Sequence, residues 1–325
     1  MGHNEPPDNT PRHQREHNGM YELEFPAPQL SSSDGRGPVL VHALEGFSDA
    51  GHAIRLAAHH LKDTLDTELV ASFAIDELLD YRSRRPLMTF KTDHFTHYDD
   101  PDLSLYALHD SVGTPFLLLA GMEPDLKWER FIAAVRLLAE RLGVRQTIGL
   151  GTIPMAVPHT RPVTMTAHSN NRDLIADFTP WISEVQVPAS ASNLLEYRLA
   201  QHGQEVVGFT VHVPHYLAQT DYPAAAQALL EQLAKTGSLQ LPMNGLAEAA
   251  AEIKTKVDEQ VEASSEVAQV VAALERQYDA FIAAQENRSL LTRDEDLPSG
   301  DELGAEFERF LAQQAEKKFD DDDST

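Results

Sequence analysis

Apolar residues in this chain fall into two kinds of pattern, which alternate along most of its length. Short apolar runs occur at Val39–Leu44, Glu68–Ile75, Pro115–Ala120, Gln146–Leu150 and Val206–Val213. Such runs, bounded by turn residues, are typical of strands covered on both faces. Between them the apolar residues recur at helical spacing, as in Ala50–Leu61 and Trp128–Leu142. The alternation predicts an α/β fold in three layers, with a mostly parallel sheet between helices.

Weaker patterns predict four further elements. Leu87–Lys91 and Leu103–His109 are strand-like and predict an antiparallel hairpin. Arg172–Trp181 is predicted as a helix and Val185–Val187 as a short strand.

The pattern changes after the core, where no strand-like run remains and the region is predicted to be all-helical. Apolar residues there follow a heptad-like spacing, at Leu246, Ala250, Ile253, Val257, Val267, Val271, Leu274, Tyr278 and Phe281. This spacing fits one long helix or a helical hairpin that turns near Ser264. We expect the seam to pack on its own domain or on a sister subunit, with Leu274, Tyr278 and Phe281 at the subunit interface. A partner-binding arm is the alternative, and Asp301–Gln314 is predicted as one more helix.

These patterns divide the chain into four segments. Residues 1–37 are predicted to be a largely disordered arm, and residues 38–238 form the α/β core. Residues 239–315 form the helical region, and residues 316–325 form an acidic disordered tail.

Composition narrows the classes of partner. The formal net charge of -25 disfavours nucleic-acid binding, which needs a basic surface. The chain has no cysteine, which excludes disulfides and zinc–thiolate sites and fits a cytoplasmic location. No apolar run is long enough to predict a membrane span.

The turn after the first strand is the first place to expect a site, because ligands in α/β sheets bind beyond the carboxyl ends of strands. It carries Glu45, Gly46 and Asp49. Glu45 and Asp49 fit a carboxylate pair for acid–base chemistry. The competing interpretation is that Asp49, or the adjacent Ser48, caps the following helix.

Two later turns carry further site residues. Glu123 and Asp125 follow the strand Pro115–Ala120 and would extend a polar cleft, although a helix N-terminus favours carboxylates in any case. His159, Thr160 and Arg161 follow the strand Gln146–Leu150. A histidine beside an arginine suits a phosphate or carboxylate ligand, or a brace within an interface.

Three arginines lie close together at Arg82, Arg84 and Arg85. In so acidic a chain they fit either an anion site or ion pairs with a neighbouring subunit, and we favour the subunit interface. No nucleotide-binding, hydrolase or metal-binding motif is present in the sequence. We therefore predict no catalytic residue, no cofactor and no metal.

Five stretches together resemble the proteasome assembly chaperone 2 family, and more narrowly its bacterial, actinobacterial-type members. They are LEGFSDAG at 44–51, DELLDYRSRRP at 76–86, Gly121–Phe131 with its EPD turn, VPHTRP at 157–162 and ALERQYDAF at 273–281. The resemblance covers about residues 37–238 and the tail motif. It implies a core similar to the purine nucleoside phosphorylase-like fold and a homo-oligomer, with a trimer among the expected states.

The resemblance also implies a function, because eukaryotic and archaeal relatives chaperone or bind the proteasome α-ring. Our leading hypothesis is a non-enzymatic assembly chaperone or interaction protein, with proteasome α subunits as partner. This chain ends in Asp323, Ser324 and Thr325 and lacks the hydrophobic–Tyr–any ending, so we do not expect docking through that motif. The alternative is a small-molecule enzyme or sensor of the nucleoside phosphorylase or hydrolase type. Some family sequences also carry a carboxylate–amine ligase label, which no motif here supports.

Overall fold

The structure is a computed structural model, and it describes residues 16–17, 19–24, 28, 30, 35–47, 49–178 and 184–291. Ser48, the predicted helix Asp301–Gln314 and the predicted acidic tail lie outside these residues. The chain divides into two compact units. The first comprises Met1–Ala176 and Ala189–Glu275, and the second comprises Asp177–Pro188 and Arg276–Thr325. The predicted domain bounds remain a prediction.

Nine of the strands form one sheet and the other two form a separate hairpin. The strands are β1 (Glu16–His17), β2 (Tyr21–Leu23), β3 (Val39–Glu45), β4 (Asp66–Phe73), β5 (Met88–Lys91), β6 (His94–Tyr98), β7 (Leu103–His109), β8 (Pro115–Met122), β9 (Gln146–Met155), β10 (Met165–Ser169) and β11 (Glu205–Pro214). Their order across the large sheet is β1-β2-β4-β7-β8-β3-β9-β11-β10.

Parallel pairing is confined to the middle of this sheet. Strands β8, β3, β9 and β11 run parallel to one another. Antiparallel strands flank them, with β7, β4, β2 and β1 on one side and β10 on the other. The α/β class is confirmed, but the sheet is mixed rather than mostly parallel. The carboxyl ends of the four central strands lie at one edge, and the turns predicted as sites follow three of them.

Helices pack on both faces of the sheet. The helices of the described residues are α1 (Ala53–Thr64), α2 (Ile75–Leu78), α3 (Trp128–Arg141), α4 (Ala191–Gln201), α5 (Pro223–Gly237), α6 (Asn244–Glu262) and α7 (Ser265–Leu291). Alternate residues of β3 point to opposite faces. Leu40 and Leu44 lie in one core cluster with Phe131 of α3 and Leu195 of α4. Helices α1 and α5 pack against each other and against β3 and β11 respectively.

Some weak predictions are wrong. Leu103–His109 does not pair with Leu87–Lys91, because it inserts between β4 and β8 as strand β7. The true partner of β5 is β6, joined through Thr92 and Asp93 with Thr92 at φ 60. That two-residue turn lacks the glycine that usually marks a tight hairpin, so its signal is weak. Val185–Val187 is not a strand, and the helix predicted at Arg172–Trp181 is a single 3-10 turn at Arg172–Ile175 within the described residues.

Regular elements lie on both sides of the predicted core, in the segment predicted as an arm and in the region predicted as helical. In the segment predicted as an arm, Tyr21 and Leu23 of β2 are buried and pair with β4. In the predicted helical region, α6 ends at Glu262 and α7 begins at Ser265, so the break falls where the heptad spacing placed a turn. None of the helices within the described ranges is long and apolar enough to cross a membrane.

Candidate functional site

The turn after β3 uses its aspartate as a helix cap. The Asp49 carboxylate accepts hydrogen bonds from the backbone N–H groups of Ile54, at 2.7 Å, and Arg55, at 3.3 Å. These are donors of the first turn of α1, which has no partner for them within the helix. Burial raises the pKa of Asp49, while these two bonds oppose the rise. Asp49 therefore positions α1 against the sheet.

Glu45 also has a raised pKa, and within the described residues no helix N–H group is bonded to its side chain. Burial raises its pKa, and the neighbouring Asp49 raises it further. A carboxylate shifted in this way is typical of a functional site, although structural clusters produce the same shift. Its backbone oxygen also accepts a hydrogen bond from the Glu123 N–H at 2.8 Å, which ties the ends of β3 and β8 together.

Glu123 is buried and its carboxylate connects three elements. Oε1 accepts hydrogen bonds from the N–H groups of Ala191, at 2.6 Å, and Ser192, at 3.4 Å, at the start of α4. Oε2 accepts one from the N–H of Phe47 at 3.2 Å. A Cβ at Gly46 would lie 2.3 Å from that Oε2, so only glycine fits beside the carboxylate. Glu123 thus joins the end of β8 to the first turn and to helix α4.

Asp125 forms hydrogen bonds and an ion pair with the arginine-rich loop 76–86. Its Oδ2 accepts hydrogen bonds from the Asp80 N–H at 2.9 Å and from Arg84 Nε at 3.2 Å. A second guanidinium nitrogen of Arg84 bonds the other carboxylate oxygen and the backbone oxygen of Glu123. Arg84 is therefore paired within its own chain, whereas Arg82 and Arg85 are exposed. The subunit interface predicted for these arginines remains a prediction, and Arg82 and Arg85 are the members available to it.

His159 is the centre of a separate network beyond β9 and β11. Its side chain is buried, with Nδ1 2.6 Å from the Tyr216 hydroxyl and Nε2 3.0 Å from Oδ1 of Asp258. Tyr216 follows β11, and Asp258 lies on α6 and also bonds Lys254 at 2.6 Å. Burial raises the pKa of Tyr216, so the phenol stays protonated and able to donate at neutral pH.

The two residues after His159 contact Glu275 in the middle part of α7. The Thr160 hydroxyl donates to Glu275, and Arg161 Nη1 lies 3.1 Å from the same carboxylate. Leu274, beside Glu275, is buried within the first unit. Tyr278 and Phe281 belong to the second unit. The loop predicted to hold an anion therefore lies against helices α6 and α7 of its own chain.

The predicted site residues form two hydrogen-bonded clusters within the described part of the chain. One links the first turn, the EPD turn and the loop 76–86 through Glu123 and Asp125. The other links the loop 157–162 to α6 and to the motif 273–281 through His159 and Glu275. The five sequence stretches that carry the family resemblance thus contact one another in two groups.

A histidine–glutamate–histidine chain with a buried glutamate at its centre is the feature that sequence reasoning missed. Glu196 of α4 bonds His42 Nε2 of β3 at 3.0 Å and also bonds His168 Nε2 of β10. The signal that could have found it is glycine inside two strands, because such residues often mark close approach. A Cβ at Gly149 would lie 1.9 Å from Glu196 Oε1, and one at Gly208 would lie 3.0 Å from it.

Metal binding has no geometric support in the residues described, where no cluster of three or more histidine, aspartate or glutamate side chains could hold an ion. The sites that remain are the shifted carboxylate of Glu45 and the Tyr216–His159–Asp258 network. The first could move a proton, and the second could orient an imidazole.

Replacing Glu123 tests whether this carboxylate is structural. We expect Glu123→Ala to lower the free energy of unfolding by about 2–4 kcal/mol, because it leaves buried N–H donors without an acceptor. Glu123→Gln should cost less, because the amide keeps one acceptor oxygen. Urea denaturation followed by circular dichroism measures both.

The control is Glu129→Ala, which breaks an exposed ion pair with Arg198 and should leave the midpoint unchanged. A Glu123→Ala midpoint equal to that of the unsubstituted protein would show that the three hydrogen bonds contribute nothing to stability.

Comparisons with known proteins place this geometry in a family. The model of the PAC2 family matches residues 43–261. A search of the curated proteins found no match. A Mycobacterium tuberculosis protein of unknown function is 86% identical, with a TM-score of 0.84 over 86% of this chain and 96% of its own. A Corynebacterium glutamicum protein of unknown function is 46% identical, with a TM-score of 0.78 over 81% of this chain and 98% of its own.

A third solved structure is a proteasome-assembly chaperone homologue from Mycobacterium tuberculosis. It is 23% identical, with a TM-score of 0.66 over 72% of this chain and 99% of its own, and at this identity the match shows a shared fold. The family model spans all of the core from β3 to the end of α5 except the first four residues of β3. This chain belongs to the PAC2 family.

Proposed function

We propose that this protein is a non-enzymatic assembly chaperone or interaction protein that acts as a homo-oligomer in the cytoplasm. The observation that carries the proposal is a contrast between its polar and apolar groups. The polar side chains at the strand ends are used as internal braces, as Asp49, Glu123 and Asp125 show. Large apolar side chains, in contrast, are exposed on the hairpin formed by β5 and β6.

The hairpin has one apolar and one polar face. Cross-strand pairing places Met88 opposite Tyr98 and Phe90 opposite Phe95. The rings of Phe90 and Phe95 meet edge-to-face, with centroids 5.1 Å apart. The apolar face (Met88, Phe90, Phe95 and Tyr98) is 41–62% exposed residue by residue. Thr89, Lys91, His94 and His97 form the polar face.

An isolated two-stranded hairpin is marginally stable in water, so this one needs a partner. All of its strand residues are exposed within one chain. The occupant we propose is a second copy of the chain, because a permanently exposed apolar face needs a partner present at matching concentration. A closed ring of copies also protects such faces from open-ended association. The trimer implied by the family resemblance is one such ring.

Proteasome α subunits are the partner that we propose for the assembled protein. Membership of the PAC2 family supports this, together with the fold shared with a proteasome-assembly chaperone homologue. The net charge of -25 leaves a surface suited to basic patches on a partner. The fold label similar to purine nucleoside phosphorylases is likewise a proposal drawn from the resemblance.

A small-molecule enzyme or sensor is the second candidate, and the Tyr216–His159–Asp258 network favours it. A buried histidine held between a phenol and a carboxylate is an arrangement that can serve proton transfer. The cavity beneath α3 does not support it, because the lining side chains, including Leu40, Phe73 and Leu117, are apolar. We rank this candidate second, because Arg161, the expected anion ligand, lies 3.1 Å from Glu275.

Polar substitutions on the hairpin test self-association. We expect the double variant Phe90→Ser, Phe95→Ser to lower the oligomeric state, because it removes the aromatic pair at the centre of the apolar face. The melting temperature of the core should change little, since both side chains are more than half exposed in the described chain. Sedimentation equilibrium over a range of concentrations measures the mass.

The matched control is Thr89→Ser, His97→Ser on the polar face, which should keep the mass of the unsubstituted protein. Equal masses for the aromatic variant and the unsubstituted protein would exclude the hairpin as the self-association surface.

Co-purification tests the partner. We expect proteasome α subunits to be retained by the tagged protein when the two are co-expressed, and deletion of the protein to slow proteasome assembly. Proteasome β subunits expressed alone serve as the control and should not be retained. Loss of both effects, with no α subunits retained and assembly unchanged by deletion, would rule out the chaperone function.

A further inference from the structure

The chain His42–Glu196–His168 runs from the protein interior to the surface. His42 lies on the central strand β3 and is 1% exposed. Glu196 lies on α4, and its side chain is buried between the two imidazoles. His168 lies on the edge strand β10, and its side chain is 47% exposed. One carboxylate therefore connects the centre of the sheet, a helix and the sheet edge.

The two strands between these histidines make room for the carboxylate by carrying glycine. In the sheet register, His42 pairs with Gly149 of β9, Gly149 pairs with Gly208 of β11, and Gly208 pairs with His168. A Cβ at Gly208 would lie 2.3 Å from the His168 ring, and one at Gly149 would lie 2.6 Å from His42 Nε2. The four residues form one rung across four strands, and Glu196 lies over it.

The charge of the Glu196 side chain follows from its hydrogen bonds to the two histidines. Burial alone would raise the pKa of Glu196, but hydrogen bonds from His168 and His42 lower it to about 2, so it is a carboxylate at neutral pH. Nδ1 of His42 is buried without a partner. The His42 ring therefore makes its polar contact through Nε2, to Glu196, at the buried end of the rung.

His168 is the member of the rung that reaches the surface, and Glu196 stabilises its protonated form. Burial lowers the pKa of His168, but the hydrogen bond and charge of Glu196 outweigh it and raise the pKa above the ordinary value. A group with a raised folded-state pKa stabilises the fold fully below its unfolded pKa, about 6.5 for histidine. That stabilisation is lost as the pH rises through the folded-state value.

We propose that the proton on His168 fastens edge strand β10 to helix α4 through Glu196, and that loss of this proton lets β10 open locally. An edge strand is the part of a sheet that opens with least disruption, because it pairs on one side only. Here β10 pairs only with β11 in the described chain. The rung is thus a protonation-sensitive clamp on one edge of the sheet.

The other titratable groups near β10 do not produce the same response. His212 of β11 bonds the hydroxyls of Thr164, at 2.9 Å, and Thr166, at 2.8 Å. Burial lowers its pKa, so His212 is already neutral above pH 6.5 and its contribution there is constant. Among the described residues, Glu196 is the charged group bonded to His168, and it stays ionised throughout that range.

Hydrogen exchange measured by mass spectrometry tests this clamp in the full-length protein. Protection factors of peptides covering β10 are compared between about pH 6.5 and pH 9, after correction for the intrinsic exchange rate. We expect protection of β10 to fall as the pH rises, by up to about tenfold for each unit by which the pKa of His168 is raised. Peptides covering the central strand β8 should stay constant.

The test variant is His168→Gln, which keeps a hydrogen-bond donor at a half-exposed position but cannot titrate. We expect its β10 protection to be independent of pH over this range. The matched control is His94→Gln, an exposed histidine of the hairpin that bonds Asp93 at 2.6 Å, and it should behave like the unsubstituted protein. An equal fall in the unsubstituted protein and in His168→Gln, or no fall in either, would overturn the proposal.

Discussion

Buried polar groups must find partners, and in this chain that requirement decides what the predicted site residues do. Glu123 shows it most directly, because its two carboxylate oxygens accept N–H groups from the turn after β3 and from the start of α4. Without this carboxylate, the turn after β3 and the N-terminus of α4 would each lose a hydrogen-bond acceptor. Residues that appeared catalytic by position are thus engaged in holding the strand ends together.

The same requirement explains why the motifs of the family resemblance contact one another. Asp125 forms an ion pair with Arg84 of the motif at 76–86. Glu275 of the C-terminal motif accepts a hydrogen bond from Thr160 and forms an ion pair with Arg161. Each contact fixes a loop that would otherwise be free at the sheet edge. The PAC2 core can therefore be described as a sheet whose strand-end loops are braced by its own motifs, while the hairpin of β5 and β6 exposes large apolar side chains.

The sequence predicted the elements that rest on strong patterns. Sequence patterns were enough to predict the strand beginning at Val39, the apolar face of α3 and the capping role of Asp49. Each of these depends on residues close together in the chain. The partner of strand β5 was not predicted, because the two-residue turn at Thr92 carries no glycine. Periodicity also gives the faces of helices without the order of strands, so the antiparallel flanks of the sheet were missed.

The candidate site was predicted less well than the fold. Position along the chain grouped Glu45 with His159, whereas in the structure Glu45 is bonded to Glu123 and His159 to Tyr216 and Asp258. The chain His42–Glu196–His168 was missed because its members lie far apart in sequence and only the spatial register brings them together. The glycines within β9 and β11 indicate where the Glu196 side chain approaches the sheet, but they can be interpreted in this way only once the strand order is known.

The central claim is that the polar strand-end residues are used internally and that the protein acts through its surface. A thermal-shift titration of the full chain with inorganic phosphate, nucleosides and nucleotides tests this claim most directly, since a specific ligand raises the melting temperature by mass action. The account predicts no saturable shift with any of them, and the same result for Arg161→Ala. A saturable shift that Arg161→Ala abolishes would contradict it and establish a small-molecule site at the loop 157–162.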